Sequence, residues 1–264
     1  MRLHRFYISE IVGDKKEITI NSVEQTNQIC RVFRLKSGDS VIVFDGSGCD
    51  YECRIEKFKK GSILLAVIST SKSRYMPVRD IYLCVGVVKK DTFEWIVEKA
   101  TELGVTHIIP VMAERSEKKS LNMERLEKIV VEASEQSGRG NVPIINNIMT
   151  LDESLEFFKE KGNIKLVAFH TEDSDVSLAV SLGRDTVFRG GEAERGRTVP
   201  ARSDTVSPKD KSPIAIFIGP EGGWSPNEIS LFHKNGVQLE CLGHQVLRTE
   251  TAVVSAISLI VFGK

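Results

Sequence analysis

The sequence predicts an α/β protein of two domains, a small β-rich domain followed by a larger domain built on a mostly parallel sheet. Residues 1–74 contain short strand patterns separated by glycine turns, an arrangement typical of small barrels. From residue 75 onward, strand patterns alternate with helix patterns, as in parallel sheets whose strands are joined by helices. The length of 264 residues is enough for two separate cores.

The strands of the first domain are recognised by alternating or apolar runs next to turn residues. Residues 40–44 form one strand pattern, residues 51–55 follow a glycine turn as its partner, and residues 62–68 give a third. A polar stretch then leads to Pro77, as at many domain linkers. We therefore predict that the first domain ends at residue 74 and the second begins at residue 75.

The second domain is predicted from strands that alternate with capped helices. Strand patterns occupy residues 81–88, 106–112 and 166–169. Candidate helix starts, where a capping side chain precedes an apolar periodic segment, are found at Asp91, Asn122 and Thr150. Residues 183–212 interrupt this pattern with five arginines, many small polar residues and little apolar clustering. We interpret this segment as a mobile surface insertion, with RNA contact as a second possibility.

The C-terminal part of the chain carries two loops that follow neighbouring strands. Residues 214–218 are wholly apolar, as in a strand buried on both faces of a sheet. Residues 219–223 then supply three glycines, and residues 225–228 supply a complete capping box for a helix. A further strand pattern at 239–242 precedes the second loop, residues 243–250. An apolar helix, which Thr249 or Thr251 can cap, follows this loop.

Loops at the carboxyl ends of adjacent parallel strands are where open α/β sheets bind ligands. A phosphate is one candidate, because glycine loops before helices bind anions. Neither loop has the ending of a nucleotide-binding P-loop, however, and Glu221 would repel an anion. A ligand with a positive centre, such as S-adenosylmethionine, suits this loop better.

Two motifs in this region resemble one known family. Residues 218–228 read I-G-P-E-G-G-W-S-P-N-E and residues 242–252 read L-G-H-Q-V-L-R-T-E-T-A. At this spacing they resemble the cofactor region of the RsmE family, SPOUT-class methyltransferases that methylate N3 of a uridine in 16S ribosomal RNA. The resemblance covers nearly the whole chain except residues 183–212. It implies a PUA-like first domain, a C-terminal trefoil knot, S-adenosylmethionine as cofactor, and a homodimer.

The resemblance and the chemistry together assign roles to individual residues. Methylation of uracil N3 removes a proton and leaves negative charge on the ring, which a fixed cation stabilises. Arg248 is the candidate cation and Glu250 the candidate proton acceptor, although glutamate carboxylates are weak bases at neutral pH. The alternative for Arg248 is an ion pair with Glu221 or Glu250 that only shapes the loop. Packing or backbone contacts are assigned to His170 and His244. The predicted cofactor-binding residues are His170, Ile218, Gly219, Pro220, Glu221, Gly222, Gly223, Leu242, Gly243, Val246, Leu247, Thr251 and Ala252.

Basic residues at strand and helix ends are candidates for contacts with RNA phosphates. They are Arg5, Arg31, Arg34, Lys36, Lys89, Lys90, Arg115 and Arg139. Solvated surface charge is the alternative for each of them. Two functions of other classes also remain open at this point: a nucleotide-binding protein, and an RNA-binding module without catalysis.

Composition limits the possible partners. The 36 basic and 36 acidic residues give a net charge of zero, so a nucleic acid must be met by local patches rather than by a global field. The five cysteines have no zinc-like spacing, which indicates reduced thiols and no metal site. The N-terminus lacks the apolar core of a signal peptide and no apolar run is long enough to span a membrane, so we predict a cytoplasmic protein.

Overall fold

The computed structural model describes residues 3–117, 120–170, 211–243 and 245–262. The chain divides by contacts into two compact units. The first comprises Met1–Met76 with Lys128–Val142, and the second comprises Pro77–Glu127 with Pro143–Lys264. The grouping of Lys128–Val142 with the first unit has no signal in the local sequence. The domain division after residue 74 stays a prediction.

The first unit contains one five-stranded sheet in the order β1-β3-β4-β5-β2. The strands β3, β4 and β5 pair in an antiparallel manner, whereas β1 pairs with β3 in parallel. A short α-helix, α1, and a π-helix over Gln28–Val32 lie between β2 and β3. The elements are β1 (Arg5–Tyr7), β2 (Glu17–Ile20), α1 (Val23–Asn27), β3 (Ser40–Phe44), β4 (Cys49–Lys59) and β5 (Ser62–Lys72).

One face of this sheet forms a closed apolar core. Burial alternates along β4, as expected for a strand with one face against a core and one in water. Register shifts between Glu52 and Cys53 and between Ile55 and Lys57 bend β4, and such irregularities curl a sheet toward a barrel. Ile29 of the π-helix is fully buried in the same core, so this segment packs against the sheet.

A buried polar cluster joins β1 to residues 128–142 within the first unit. The guanidinium of Arg5 forms a bidentate ion pair with Asp50, with N–O distances of 2.6 and 2.8 Å. It also lies 4.9 Å from the ring centre of Phe44. Arg5 also donates to the carbonyl of Arg139 at 3.3 Å. The Arg139 side chain is 4% exposed and donates to Asn141, and burial lowers the pKa of its guanidinium to about 10.

Glu135 in this cluster predicts a pH dependence of stability. Burial raises the pKa of its carboxyl to about 7, against hydrogen bonds from the backbone of Tyr7 and the side chain of Gln25, which lower the pKa. Nearby Glu132 raises the pKa and Arg5 lowers it. Because the folded state holds this proton more tightly than the unfolded chain, stability falls as the pH rises from about 4.5 to about 7.

The Glu135→Gln variant should therefore lose this part of the pH dependence. The amide oxygen still accepts from the Tyr7 backbone, so at pH 8 the variant should be more stable than wild type by on the order of 2 kcal/mol. Thermal and denaturant unfolding between pH 4.5 and pH 8 measures the difference. Glu127→Gln is the control, because Glu127 is exposed on the same helix, Met123–Ser137, and is not among the groups that shift the Glu135 pKa. Parallel pH profiles of wild type and Glu135→Gln would contradict the assignment.

The second unit is built on a parallel sheet with the strand order β12-β10-β11-β6-β7-β8, with β9 also paired to β7. Both β6 and β11 are buried along their whole length, as in strands covered on both faces. The remaining elements of the chain are β6 (Ile81–Gly86), α2 (Lys90–Glu102), β7 (His107–Met112), α3 (Met123–Ser137), β8 (Ile144–Ile145), β9 (Met149–Thr150), α4 (Leu151–Lys161), β10 (Lys165–Phe169), β11 (Ile214–Ile218), α5 (Pro226–Lys234), β12 (Gln238–Glu240) and α6 (Thr249–Phe262). Of these, α3 belongs to the first unit from Lys128 onward.

The order of the last three strands places their loops together. In the sheet, Phe169 at the end of β10 is level with Ile218 at the end of β11 and with Glu240 at the end of β12. The chain leaves all three strands at the same edge of the sheet. After β12 it runs back toward the end of β11 and enters α6, which packs against α2 and β11.

Most predicted helix boundaries are found in the structure, and one is wrong. Both side chains of the capping boxes at Thr150 and Ser225 form the expected hydrogen bonds, and Asn122 accepts from the backbone of Arg125. The predicted capping box at Asp91 is wrong, because α2 begins at Lys90 with Lys89 as an N-cap that has no side-chain hydrogen bond. None of the helices in the described ranges is both long and apolar enough to cross a membrane.

Candidate functional site

A cavity of about 500 Å³ lies where the loops after β10, β11 and β12 meet. The first loop contributes Phe169 and His170, the second contributes residues 218–224, and the third contributes residues 241–243 and 245–247. The start of α6 closes the cavity through Thr249 and Ala252. Its volume falls within the range of small-molecule sites, roughly 300–1,000 Å³.

The path of the glycine loop, residues 219–223 after β11, depends on two glycines. Gly86 lies against the loop, and Gly223 lies within it. A Cβ atom built on Gly86, at the end of β6, would lie 2.6 Å from both the backbone nitrogen and the Cδ of Pro220. Only glycine at residue 86 therefore lets the loop pass over the end of β6 in this position. Gly223 has φ of +67°, a conformation that favours glycine, and its amide donates to the Pro220 carbonyl at 2.8 Å.

The two loops are joined by a hydrogen bond from the start of α6. The hydroxyl of Thr249, which is 3% exposed, donates to the carbonyl of Gly219 at 3.1 Å. This contact fixes the second loop against the glycine loop just after Arg248. The pattern predicts Thr249 only as a possible helix cap, and its bond to Gly219 has no local sequence signal.

Trp224 connects the cavity wall to the core. Its indole N–H donates to the Phe169 carbonyl at 3.1 Å, and its ring lies edge-on to Phe232, with 5.1 Å between ring centres. The side chain is 2% exposed. Buried indole groups need such a partner, so this bond ties the end of β10 to the end of the glycine loop.

A third segment, residues 113–116 after β7, holds the other side of the glycine loop. Arg115 donates from its guanidinium to the Gly222 carbonyl at 2.7 Å. The carboxylate of Glu228 accepts from the Glu114 amide at 3.0 Å as well as from the Ser225 amide at 2.7 Å. Glu228 is 3% exposed, so one buried carboxylate serves both the helix cap and the neighbouring loop.

The structure brings most of the predicted cofactor residues into one cavity. All of them except Thr251 line it, and Thr251 lies exposed on the first turn of α6. His170 lines the cavity, and its backbone amide donates to the Glu240 carbonyl. His244 lies outside the described residues. Lining residues that were not predicted are Arg115, Phe169, Trp224, Pro226, Ile229, Cys241, Gln245 and Thr249.

The two predicted catalytic residues lie at the start of α6 rather than in the cavity wall. Arg248 is exposed and sits between Leu247, which lines the cavity, and the buried Thr249. It forms no ion pair with Glu221, Glu250 or any other described residue. Among the described residues, nothing therefore supports the alternative in which Arg248 shapes the loop through a carboxylate. Glu250 is half-buried beside it.

The predicted RNA-binding residues fall into three groups. Arg31, Arg34 and Lys36 are exposed on one segment of the first unit. Lys89 and Lys90 are exposed at the start of α2, beside Glu117 and Glu94 respectively. Arg5 and Arg139 are instead buried in the polar cluster of the first unit, and Arg115 contacts the glycine loop. RNA contact stays a prediction for all of these residues.

Among the described residues there is neither a disulfide nor a cluster of metal ligands. All five cysteines are free thiols. Burial raises the pKa of the Cys53 thiol to about 12 and holds the pKa of the Cys84 thiol well above its ordinary value. No group of three or more His, Cys, Asp or Glu side chains in the described ranges is arranged to hold a metal ion. Of the predicted insertion at 183–212, residues 183–210 lie outside the described residues.

Comparison with known proteins identifies the family. An RNA methyltransferase domain model matches residues 74–261, and an RNA methyltransferase PUA domain model matches residues 23–68. A ribosomal RNA small subunit methyltransferase E from Bacillus subtilis is 32% identical over 98% of this chain and 96% of its own length. The chain belongs to the ribosomal RNA small subunit methyltransferase E family. A family member from Rickettsia conorii is 28% identical over the same shares of the two chains.

A solved structure has the same fold over nearly the whole chain. A methyltransferase from Legionella pneumophila, solved in complex with the cofactor SAM, is 26% identical and superposes with a TM-score of 0.77. The match covers 98% of this chain and 97% of that chain. The predicted fold class is thus confirmed: an α/β protein with a parallel sheet in its methyltransferase domain, preceded by a PUA-like β-rich domain. The trefoil knot stays a prediction.

Proposed function

We propose that this protein is an S-adenosylmethionine-dependent methyltransferase that methylates N3 of a specific uridine in 16S ribosomal RNA of the small subunit. The observation that carries the proposal is the joint presence of the family match over nearly the whole chain and a cavity formed by its two motif loops. The PUA-like domain supplies a candidate surface for the RNA. Since the substrate belongs to the ribosome, we also propose a cytoplasmic location.

The cavity fits S-adenosylmethionine in size and in chemistry. The glycine loop exposes backbone groups that can hydrogen-bond an adenine, and Leu242, Val246 and Leu247 supply apolar surface for its ring. Glu221 is a carboxylate in the lining, which favours a cationic sulfonium over a phosphate. The Glu221 carboxylate also argues against a nucleoside triphosphate as the ligand.

Methyl transfer to uracil N3 requires little covalent chemistry from the protein. When bound, S-adenosylmethionine supplies an electrophilic methyl group whose bond to sulfur breaks as the bond to N3 forms. We assign Arg248 to stabilise the negative charge that develops on the uracil ring as its N3 proton leaves. Glu250, one residue beyond the Thr249–Gly219 contact, is the candidate to accept that proton.

Two measurements test the proposed function. Calorimetry should detect one S-adenosylmethionine per chain and no tight binding of ATP. Incubation with undermethylated small subunits and labelled donor should transfer label to N3 of one uridine. Tight ATP binding without a response to the methyl donor would contradict the proposal and support a nucleotide-binding protein. Binding to RNA without transfer of label would support an RNA-binding module without catalysis.

The proposed enzyme should be a homodimer. Val261 and Phe262 at the end of α6 are 38% and 63% exposed, and Trp95 on the neighbouring α2 is 42% exposed. An apolar helix with exposed apolar residues on its outer side indicates a further partner surface. Sedimentation at micromolar concentration should therefore give twice the chain mass of 29.4 kDa. A species of 29.4 kDa alone would contradict the dimer.

A further inference from the structure

We propose that Arg115 is a positioning residue for the cofactor: by holding the Gly222 carbonyl, it fixes the glycine loop in the shape that binds S-adenosylmethionine. This inference rests on the proposed function, and it gives Arg115 a role different from the RNA contact that the sequence predicts. It concerns a residue of the segment after β7, which lies outside both motif loops.

The first step is the direct contact between Arg115 and the loop. The guanidinium donates to the Gly222 carbonyl over 2.7 Å and lines the cavity. A hydrogen bond from a charged donor is roughly twice as strong as one between neutral groups. Gly222 belongs to the loop whose backbone forms the cavity wall, so this bond acts on the cofactor site through the backbone.

The second step is the close packing of the arginine stem against Gly222. A Cβ atom at residue 222 would lie 3.0 Å from the Cβ of Arg115 and 3.3 Å from its Cδ. The methylene chain of Arg115 thus occupies the space beside the glycine, while its head group holds the carbonyl. Loop and arginine fit each other on two sides.

The third step is that the segment carrying Arg115 is itself held in place. The amide of Glu114 donates to the buried carboxylate of Glu228, and the side chain of Asn227 donates to the Glu114 carboxylate at 3.3 Å. Ser116 accepts from the Ala113 amide at 3.2 Å. Arg115 therefore extends from a braced turn, which is what a residue needs in order to position another segment.

The opposite side of the glycine loop has a matching support. There the hydroxyl of Thr249 donates to the carbonyl of Gly219. The loop carbonyls at residues 219 and 222 are thus each held by a side chain from a different segment. Two side chains thus hold the loop in one shape, and a preorganised loop favours affinity because less order has to be gained on binding.

The test compares Arg115→Met, Arg115→Lys and a matched control. Arg115→Met should raise the S-adenosylmethionine dissociation constant of the free protein by about tenfold or more, the scale of one charged hydrogen bond. Arg115→Lys should recover part of the affinity, because an amine can still donate to one carbonyl. The KM for RNA should not change. Arg125→Met, a change at an exposed arginine that pairs with Glu94 on the protein surface, should leave cofactor affinity at the wild-type value.

A second variant probes the same contact from the loop side. Gly222→Ala should also weaken cofactor binding, and its effect should be less than additive with Arg115→Met, since both changes act on one contact. If Arg115→Met does not fold, the lysine and alanine variants decide the question. Unchanged cofactor affinity in these variants overturns the proposal. If the KM for RNA is raised in that case, Arg115 contacts an RNA phosphate instead. Failure of the wild-type protein to bind S-adenosylmethionine would instead overturn the proposed function.

Discussion

Replacing Arg248 by alanine should slow methyl transfer by roughly a hundredfold or more while leaving S-adenosylmethionine affinity nearly unchanged. This is the usual scale for loss of one group that stabilises charge in a transition state. Cofactor affinity should survive because Arg248 is exposed and does not line the cavity. Arg248→Lys should recover only part of the rate, since lysine lacks the planar fork that grips a pyrimidine carbonyl.

Single-turnover rates and the donor's dissociation constant, measured on the same preparation, separate the two possible roles of Arg248. A residue that acts only in the transition state changes the rate alone. If Arg248→Ala loses cofactor binding together with activity, the side chain shapes the loop instead. An unchanged rate would remove Arg248 from the mechanism.

Replacing Gly86 by alanine should weaken S-adenosylmethionine binding by more than tenfold. The added methyl group would lie 2.6 Å from the nitrogen and the Cδ of Pro220. Neither atom belongs to a flexible side chain, so the backbone of the glycine loop must move. Since that backbone forms the cavity wall, and shifts of about 1 Å at such sites are costly, binding should suffer more than stability does.

Calorimetry with the cofactor and a thermal melt on each variant check this expectation. Gly61→Ala is the control, because Gly61 lies in the β4–β5 turn with φ of +82° and nothing within 4 Å of an added Cβ. It should lose about 1 kcal/mol of stability through backbone strain and keep full cofactor affinity. Wild-type affinity in Gly86→Ala would mean that the loop tolerates displacement.

The fold could be predicted where local pattern and tertiary structure agree. The strands Ser40–Phe44 and Ile214–Ile218 were predicted with the bounds that the structure has, because turn residues flank each apolar run. The short strands β1, β2, β8 and β9 were missed. Strands of two to four residues carry too few residues for a periodic signal, and their partners are distant in sequence.

The site could be predicted only where it consists of consecutive residues. The two motif loops were found because each carries its glycines and apolar residues in one stretch. Gly86 and Arg115 belong to other segments that reach the glycine loop through the order of the strands, which no local pattern reveals. Arg5 and Arg139 have the appearance of surface cations in the sequence, and only the fold reveals their burial beside Asp50 and Asn141.

The strand order also bears on how the protein is made. β11 lies between β10 and β6, and Ile214 pairs with Ile81, so the centre of the sheet stays incomplete until a late part of the chain has left the ribosome. Pairings between such distant residues form slowly, and unpaired strand edges attract other chains in the meantime. We expect the cofactor cavity, whose loops follow the last three strands, to be among the last parts to assemble, which makes this unit a natural client of chaperones during synthesis.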